Sequence, residues 1–147
     1  MHQALLLAHL LGVVVWVGGM FFMAICLHPA LATLAGKDRA TLVVTTLTRF
    51  FGWVAVAIVM LWVSGTGMVF AAAGSRLPLG WHLMIGAAAL MTLIFGYVRY
   101  GPFRAARDAL AAGRLTEIAP RLARVRMLVL INLALGVLAI AAVTLLG

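Results

Sequence analysis

The chain has 147 residues, of which 66% are hydrophobic and 10% are charged, with eleven Lys and Arg residues, three acids and a formal net charge of +8. A typical soluble domain has about 25% charged residues, so this chain has too few polar groups to cover a water-soluble surface. The composition therefore excludes an ordinary soluble domain and indicates an integral membrane protein.

Four apolar stretches are long enough to cross a bilayer, whose hydrocarbon core requires about 20 residues of helix. They cover about residues 4–27, 51–73, 79–98 and 127–146. Each is predicted to be helical, because backbone polar groups in lipid have to be satisfied within their own segment. We therefore predict an all-α, polytopic membrane four-helix bundle that forms a single domain over residues 1–147.

The first predicted span has His9 near one end and His28 at the other. The span exceeds a signal-peptide core and no basic residue precedes it, so we expect it to be retained. His9, Gly12 and Trp16 belong to a stripe of residues spaced by three and four, which share one helix face. Glycines on such a stripe allow close approach of a flat ligand or of another helix. The whole stripe consists of Leu5, His9, Gly12, Trp16, Gly19 and Met23.

The basic residues are concentrated in the first and third connections between spans, whereas Arg76 is alone in the second. The positive-inside rule places the two basic connections in the cytoplasm and both termini outside. The third connection is predicted to contain an interfacial helix over about residues 103–126, which Pro102 separates from the third span and Gly113 interrupts in the middle. From Leu115 to Arg126 its apolar residues recur at helical spacing between arginines. Since these charges flank membrane helices, we expect membrane lipid as their partner and no nucleic acid.

The third predicted span has His82 three or four residues from its start and Gly86 one turn further on. Sliding the chain by 73 positions places His9 on His82 and one proline on another, which indicates a two-hairpin pseudo-repeat. His9 and His82 are expected at the same depth, roughly 5 to 8 Å below the outer hydrocarbon boundary. His28 is roughly 28 Å further along, near the cytoplasmic face, and is therefore expected to be unrelated to that pair.

Histidine inside a bilayer is costly and indicates a functional site. Two neutral imidazoles at matched depth suit a haem iron, and the small residues below them leave room for the macrocycle. No C-x-x-C-H motif is present, so we predict a non-covalent haem b whose iron is ligated by two histidines. Arg76 either meets the haem propionates or is a solvated loop residue. The predicted haem-binding residues are His9, His82, Gly12, Trp16, Gly86 and Arg76.

Copper is the alternative cofactor, because soft sulfur ligands select Cu(I). Met20, Met23, Cys26 and His28 form a loose series along the inner half of the first span. Cys26 is the single cysteine, so the chain forms no internal disulfide. A structural or partner-binding bundle without a cofactor is the third hypothesis.

The pattern H-x6-W-x2-G of the first span, formed by His9, Trp16 and Gly19, resembles HemJ-type protoporphyrinogen oxidases and the related CopD-type (copper-resistance D domain) membrane proteins. The third-span histidine in "WHLM" matches their shared histidine, and the closing "RVRMLVLINLALG" is similar to the last helix of small CopD-like proteins. The resemblance implies a four-helix membrane protein that binds b-type haem through His9, with His82 as a further ligand. It also implies protoporphyrinogen oxidation for the HemJ type and copper uptake for the CopD type.

The chain departs from the HemJ-type pattern at two places. Met84 stands where those proteins have a lysine two residues after the third-span histidine, and Asn132 is followed by Leu133 where an Asn-Glu pair is expected. The absence of this lysine argues against oxidase activity more than it argues against haem binding.

Taken together, these patterns predict a redox or electron-transfer protein of the bacterial inner membrane that acts with a quinone, a porphyrin or a redox partner. Any enzymatic activity would be that of an oxidoreductase. The predicted bundle has no obvious nucleophile or general base, which argues against hydrolysis and group transfer. The oligomeric state is open, and a homo-oligomer is compatible with the sequence.

Overall fold

The computed structural model describes residues 2–72 and 76–146, which form five helices and no strand. Helix α1 is the continuous helical segment His2–Thr33, and the later helices are α2 (Gly36–Ala71), α3 (Leu79–Tyr100), α4 (Pro102–Ala111) and α5 (Ile118–Leu145). A 3₁₀ turn at Leu115–Glu117 precedes α5. Four of these helical segments, which contain α1, α2, α3 and α5, are long and apolar enough to cross a membrane. The prediction of an all-α four-helix bundle is confirmed, and the chain is a multi-pass membrane protein.

The second helix is much longer than the predicted span over residues 51–73. It begins at Gly36, because the basic residues before residue 51 are compatible with helix although they are too polar for hydrocarbon. Gly36 has a φ of +58°, a left-handed conformation that glycine adopts without steric cost and that lets the chain reverse between α1 and α2. The predicted end at residue 73 lies outside the described residues.

The connection before the last span forms two helical pieces, and the break between them lies at the predicted interruption, Gly113. Pro102 occupies the first turn of α4, where its missing N–H costs no hydrogen bond. Gly113, with a φ of +71°, follows the end of α4 and reverses the chain. Residues 118–126 then belong to α5, which continues from the basic region into the last span.

The helices pair as two hairpins, with α1 packed against α2 and α3 packed against α5. The middle of α1 also contacts α5, and this contact joins the hairpins into one bundle. The Gly80 N–H donates to the Leu146 carbonyl at 3.1 Å, so the start of α3 lies beside the end of α5. Only the second hairpin has a short helix, α4, between its two long helices, so the predicted pseudo-repeat does not extend to the connections.

An aromatic cluster ties four helices together in the core. The ring of Phe51, on α2, meets the rings of Phe95 on α3 and Phe103 on α4 edge-on, at centroid distances of 5.7 and 4.9 Å. Trp16 of α1 meets Phe95 in the same manner at 6.4 Å. Such edge-to-face pairs add to the stabilisation from burial alone. The cluster therefore fixes α4 against the bundle.

Helix α1 contains two π-helical turns, Val14–Gly18 and Met23–Leu27. The second lies just before Pro29, whose nitrogen has no hydrogen to donate to the Ile25 carbonyl four residues earlier. A wider turn accommodates this missing hydrogen bond without ending the helix. The helix then continues through a final 3₁₀ turn at Leu31–Thr33.

Candidate functional site

His9 lies at the interface of α1 and α2 within the first membrane-spanning segment. Its Nδ1 is 3.0 Å from the Oγ of Ser64, which is 2% exposed. A Cβ atom placed on Gly65 would lie 3.4 Å from the His9 Cε1, so the imidazole lies directly against the α2 backbone there. The histidine itself is half-buried. Its polar partner is therefore a buried hydroxyl on the neighbouring helix.

The hydrogen bonds of Ser64 assign the tautomer of His9. The Ser64 hydroxyl has one proton and donates it to the Met60 carbonyl in the preceding turn of α2. The same oxygen can then only accept from His9, so the His9 Nδ1 bears the proton and donates it. The Nε2 of His9 keeps a free lone pair. Metal-ligating histidines have this arrangement, in which the second ring nitrogen donates to a fixed acceptor.

The small residues that follow His9 on α1 serve close packing against α2. A Cβ on Gly12 would lie 2.8 Å from Leu61 Cγ and 3.3 Å from the Ala57 carbonyl oxygen. A Cβ on Gly19 would overlap the ring of Phe50. Close helix packing therefore accounts for these two glycines, and α2 occupies the space that a flat ligand would need along the stripe.

Trp16 is a core residue rather than an open wall. It is 3% exposed and packs with Met20, Val54 and Met91 in the centre of the bundle. The sequence predicts that Trp16 lines a haem pocket, but the surrounding helices already enclose this side chain.

His82 lies on the outward face of α3. It is exposed, and its Nδ1 lies 3.1 Å from the Pro78 carbonyl, to which it donates, so its Nε2 also has a free lone pair. The buried residues Met91 and Val98 lie nine and sixteen residues further on, which is about 180° and 160° around a helix axis. Gly86 is exposed on the same outward side, and a Cβ there would meet nothing within 4 Å.

The structure does not bring the two predicted iron ligands together. His9 is hydrogen-bonded to α2, whereas His82 is exposed and its hydrogen bond is to Pro78, just before its own helix. Arg76 is exposed in the connection just before Pro78, and it forms no ion pair within the described part of the chain.

Haem b fits His9 in its donor chemistry but does not fit both histidines inside one bundle. The free Nε2 of the half-buried His9 suits an axial ligand. The outward position of His82 does not suit a second ligand to the same iron within the chain. Of the two predicted ligands, only His9 has a ring nitrogen placed inside the bundle, and α2 takes up the space along its glycine stripe.

The predicted copper series does not converge. Met20 is enclosed in the core at 2% exposure and Cys26 is exposed, whereas Met23 and His28 line a cavity at the other end of the bundle from His9. In residues 2–72 and 76–146, no group of three His, Cys, Asp or Glu side chains is placed to hold a metal ion.

The bundle also contains two buried polar residues that the sequence analysis did not assign to a site. Ser64 is the partner of His9, and Asn132 of α5 donates from Nδ2 to the Met91 carbonyl at 3.1 Å. The signal in the sequence is a polar residue in the middle of an apolar span. That signal does not identify the neighbour, because the neighbour is on another helix.

Comparison of the chain with protein-family models finds no match, and comparisons with curated proteins and with solved structures find no significant match. The function has to be inferred from the residues of this chain.

Proposed function

We propose that this multi-pass membrane protein binds b-type haem through His9 and serves electron transfer or redox chemistry. The observation that supports the proposal is the contact between His9 and Ser64, which orients the imidazole and leaves its Nε2 lone pair free within an apolar span. An imidazole in that state is the usual axial ligand of a b-type haem.

The residues around His9 would position the ligand and set its surroundings. Ser64 accepts the Nδ1 proton and so restrains ring rotation. Gly65 has no side chain and lets the imidazole lie against α2. A haem bound there would supply one-electron redox chemistry, whose potential depends on burial and on hydrogen bonding to the axial histidine.

Met84 favours electron transfer over porphyrin oxidation within this proposal. The resembled HemJ-type proteins have a lysine at this position of α3, and Met84 has neither charge nor a proton to transfer. The redox partner would be a quinone, a porphyrin or a membrane-associated electron carrier. We place the protein in a bacterial inner membrane, and the positive-inside rule then puts α4 in the cytoplasm and both termini outside.

A reduced-minus-oxidised absorption spectrum of the detergent-purified chain, expressed with ample haem, tests the proposal. We expect a Soret band that His9→Ala abolishes or shifts. The matched controls His28→Ala and His82→Ala should leave the band in place, because neither side chain contacts His9. Absence of the band from the unmodified chain would overturn haem binding, and a band unchanged in His9→Ala would overturn the ligand assignment.

Metal analysis on the same samples separates the remaining hypotheses. Stoichiometric iron with a Soret band supports the proposal. Copper without such a band would support the CopD-like alternative, and a protein with neither would be a structural or partner-binding bundle, in which the His9–Ser64 contact only joins two helices.

A further inference from the structure

A cavity of about 470 Å³ lies where α1 ends and where α2 and α5 begin. Its walls are mostly apolar and include Leu27 of α1, Leu47 of α2 and Leu122 of α5. The lining of α2 extends from Gly36 to Leu47, a rise of roughly 16 Å at 1.5 Å per residue. The cavity is thus elongated along the bundle, and we call it the basic cavity for the charges described next.

Three basic side chains from three different helices line the basic cavity. They are His28 of α1, Arg39 of α2 and Arg126 of α5. Both arginines are close enough to act electrostatically on His28. Because the three groups come from separate helices, the fold itself brings the two arginine charges and the imidazole together.

No carboxylate neutralises these charges in the described part of the chain. Its ion pairs involve only Asp108 and Glu117, which bind arginines of α4 and of the region around the start of α5. Asp38 precedes Arg39 in sequence but is exposed and forms no ion pair within 4 Å. Like charges that converge without a counter-charge favour an anionic ligand.

A wide turn of α1 forms part of the wall of the basic cavity. Met23, Ala24 and Leu27 belong to the π-helical turn before Pro29, and all three line the cavity. A wide turn and a proline displace this end of α1 from the straight path of a regular helix. No residue of α4 lines the cavity.

We propose that the basic cavity binds one anionic phospholipid from the leaflet at this end of the bundle. The phosphate lies against His28, Arg39 and Arg126, and an acyl chain extends along the apolar walls toward Leu47. Each basic group near a membrane surface adds about 1 kcal/mol of attraction for anionic lipid. The proposal is independent of haem binding at His9, which lies at the opposite end of α1.

The combination of charge and apolar length selects a lipid over a small anion. A free phosphate would satisfy the arginines but would leave the apolar length of the cavity without a partner. A neutral lipid would fill the apolar length but would leave the two exposed arginines paired only with water. Only an anionic amphiphile matches both parts of the lining.

Native mass spectrometry of the full chain tests the proposal, after its release from vesicles of phosphatidylcholine and phosphatidylglycerol in equal parts. We expect one retained phosphatidylglycerol per chain in preference to phosphatidylcholine. Arg39→Gln and Arg126→Gln should each weaken this retention about fivefold, the equivalent of one basic group. Arg126→Lys should keep most of it. The matched control Arg124→Gln, an exposed position two residues away that does not line the cavity, should leave retention unchanged.

A second pair of variants tests the apolar part of the cavity. Ala123→Phe places a ring in the lining and should reduce retention of phosphatidylglycerol several-fold. Ala134→Phe, at an exposed position on the same helix outside the cavity, should not. Variants are compared only when their helical circular dichroism and unfolding midpoint match those of the unmodified chain.

Four results would overturn the proposal. These are equal retention of the two lipids, displacement of the lipid by inorganic phosphate at equal concentration, an Arg124→Gln loss as large as the Arg126→Gln loss, and no difference between Ala123→Phe and Ala134→Phe. The second result would indicate a site for small anions, and the third a general effect of surface charge.

Discussion

The His9 Nδ1 and the Ser64 Oγ lie 3.0 Å apart and join the first two membrane-spanning helices by a polar contact in an otherwise apolar interface. The contact satisfies the one buried hydroxyl of α2 that faces α1, and it fixes which nitrogen of the imidazole bears a proton. It therefore contributes to helix association whether or not a cofactor binds.

We expect Ser64→Ala to destabilise the bundle by about 0.6 kcal/mol, the average value of a hydrogen bond between membrane helices. Unfolding in mixed micelles, followed by circular dichroism, measures this change. Thr66→Ala is the matched control, because Thr66 is exposed and its hydroxyl bonds only to its own helix. An equal loss in both variants would mean that the contact with His9 contributes nothing. In the haem-loaded protein, Ser64→Ala should also shift the reduction potential, since the axial histidine loses its acceptor.

Gly12→Ala is expected to lower the free energy of unfolding by more than the size of one methyl group indicates. The added Cβ would lie 2.8 Å from Leu61 Cγ and 3.3 Å from a backbone oxygen of α2, so the two helices have to separate. Overpacking of this kind costs about 1 to 3 kcal/mol. Gly52→Ala is the control, because a Cβ there meets nothing within 4 Å and alanine is the better helix former. The same unfolding assay should show a loss for the first variant and no loss for the second.

Phe103→Ala should release α4 from the bundle. The ring is 2% exposed and meets Phe51 edge-on at 4.9 Å. We expect a loss of about 3 kcal/mol in the free energy of unfolding, as for other buried phenylalanines. Amide hydrogen exchange over Pro102–Ala111 should become faster than in the other helices. Phe70→Ala, at a position that is 79% exposed, provides the control. Unchanged exchange in α4 would show that contacts other than the aromatic pair hold it in place.

The orientation in the membrane is open to direct measurement with single cysteines. In a Cys26→Ala background, Arg76→Cys and Arg107→Cys place thiols at exposed positions in the second and third connections. A membrane-impermeant maleimide added to intact cells should label the first and not the second, as the positive-inside rule predicts. The reverse labelling pattern would invert the proposed topology.

Hydropathy predicts the four spans well but marks only the part of each helix that lipid surrounds. Residues 36–50 of α2 are helical because their propensity and packing favour it, although arginine and lysine make them too polar for a hydropathy window. The break at Gly113 is set by a local left-handed conformation, which the glycine itself indicates in the sequence although the surrounding apolar periodicity does not.

The candidate site was harder to predict, because in a membrane helix polarity does not distinguish the inward face from the outward one. His82 and Gly86 share an outward face with Leu93, which is 72% exposed, and lipid accepts an apolar residue such as Leu93 as readily as a protein core does. The equal membrane depth predicted for His9 and His82 therefore did not imply that they share a site. The partner of His9 lies 55 residues away on α2, and only the packing of α1 against α2 identifies it.

The two π-helical turns of α1 explain why residues four apart remain on one side of that helix. Gly12, Trp16 and Met20 are buried, and Ala24 and His28 line the basic cavity. In a regular α-helix, each step of four residues advances about 40° beyond a full turn, so His28 would be rotated by about 160° from Gly12. Each wide turn takes up one extra residue, equivalent to about 100°, and two of them offset that drift. Deletion of one residue from Met23–Leu27 would therefore convert the wide turn into a regular α-helical turn and leave His28 on the cavity side, whereas insertion of one further residue there would rotate His28 by about 100° and leave His9 in contact with Ser64.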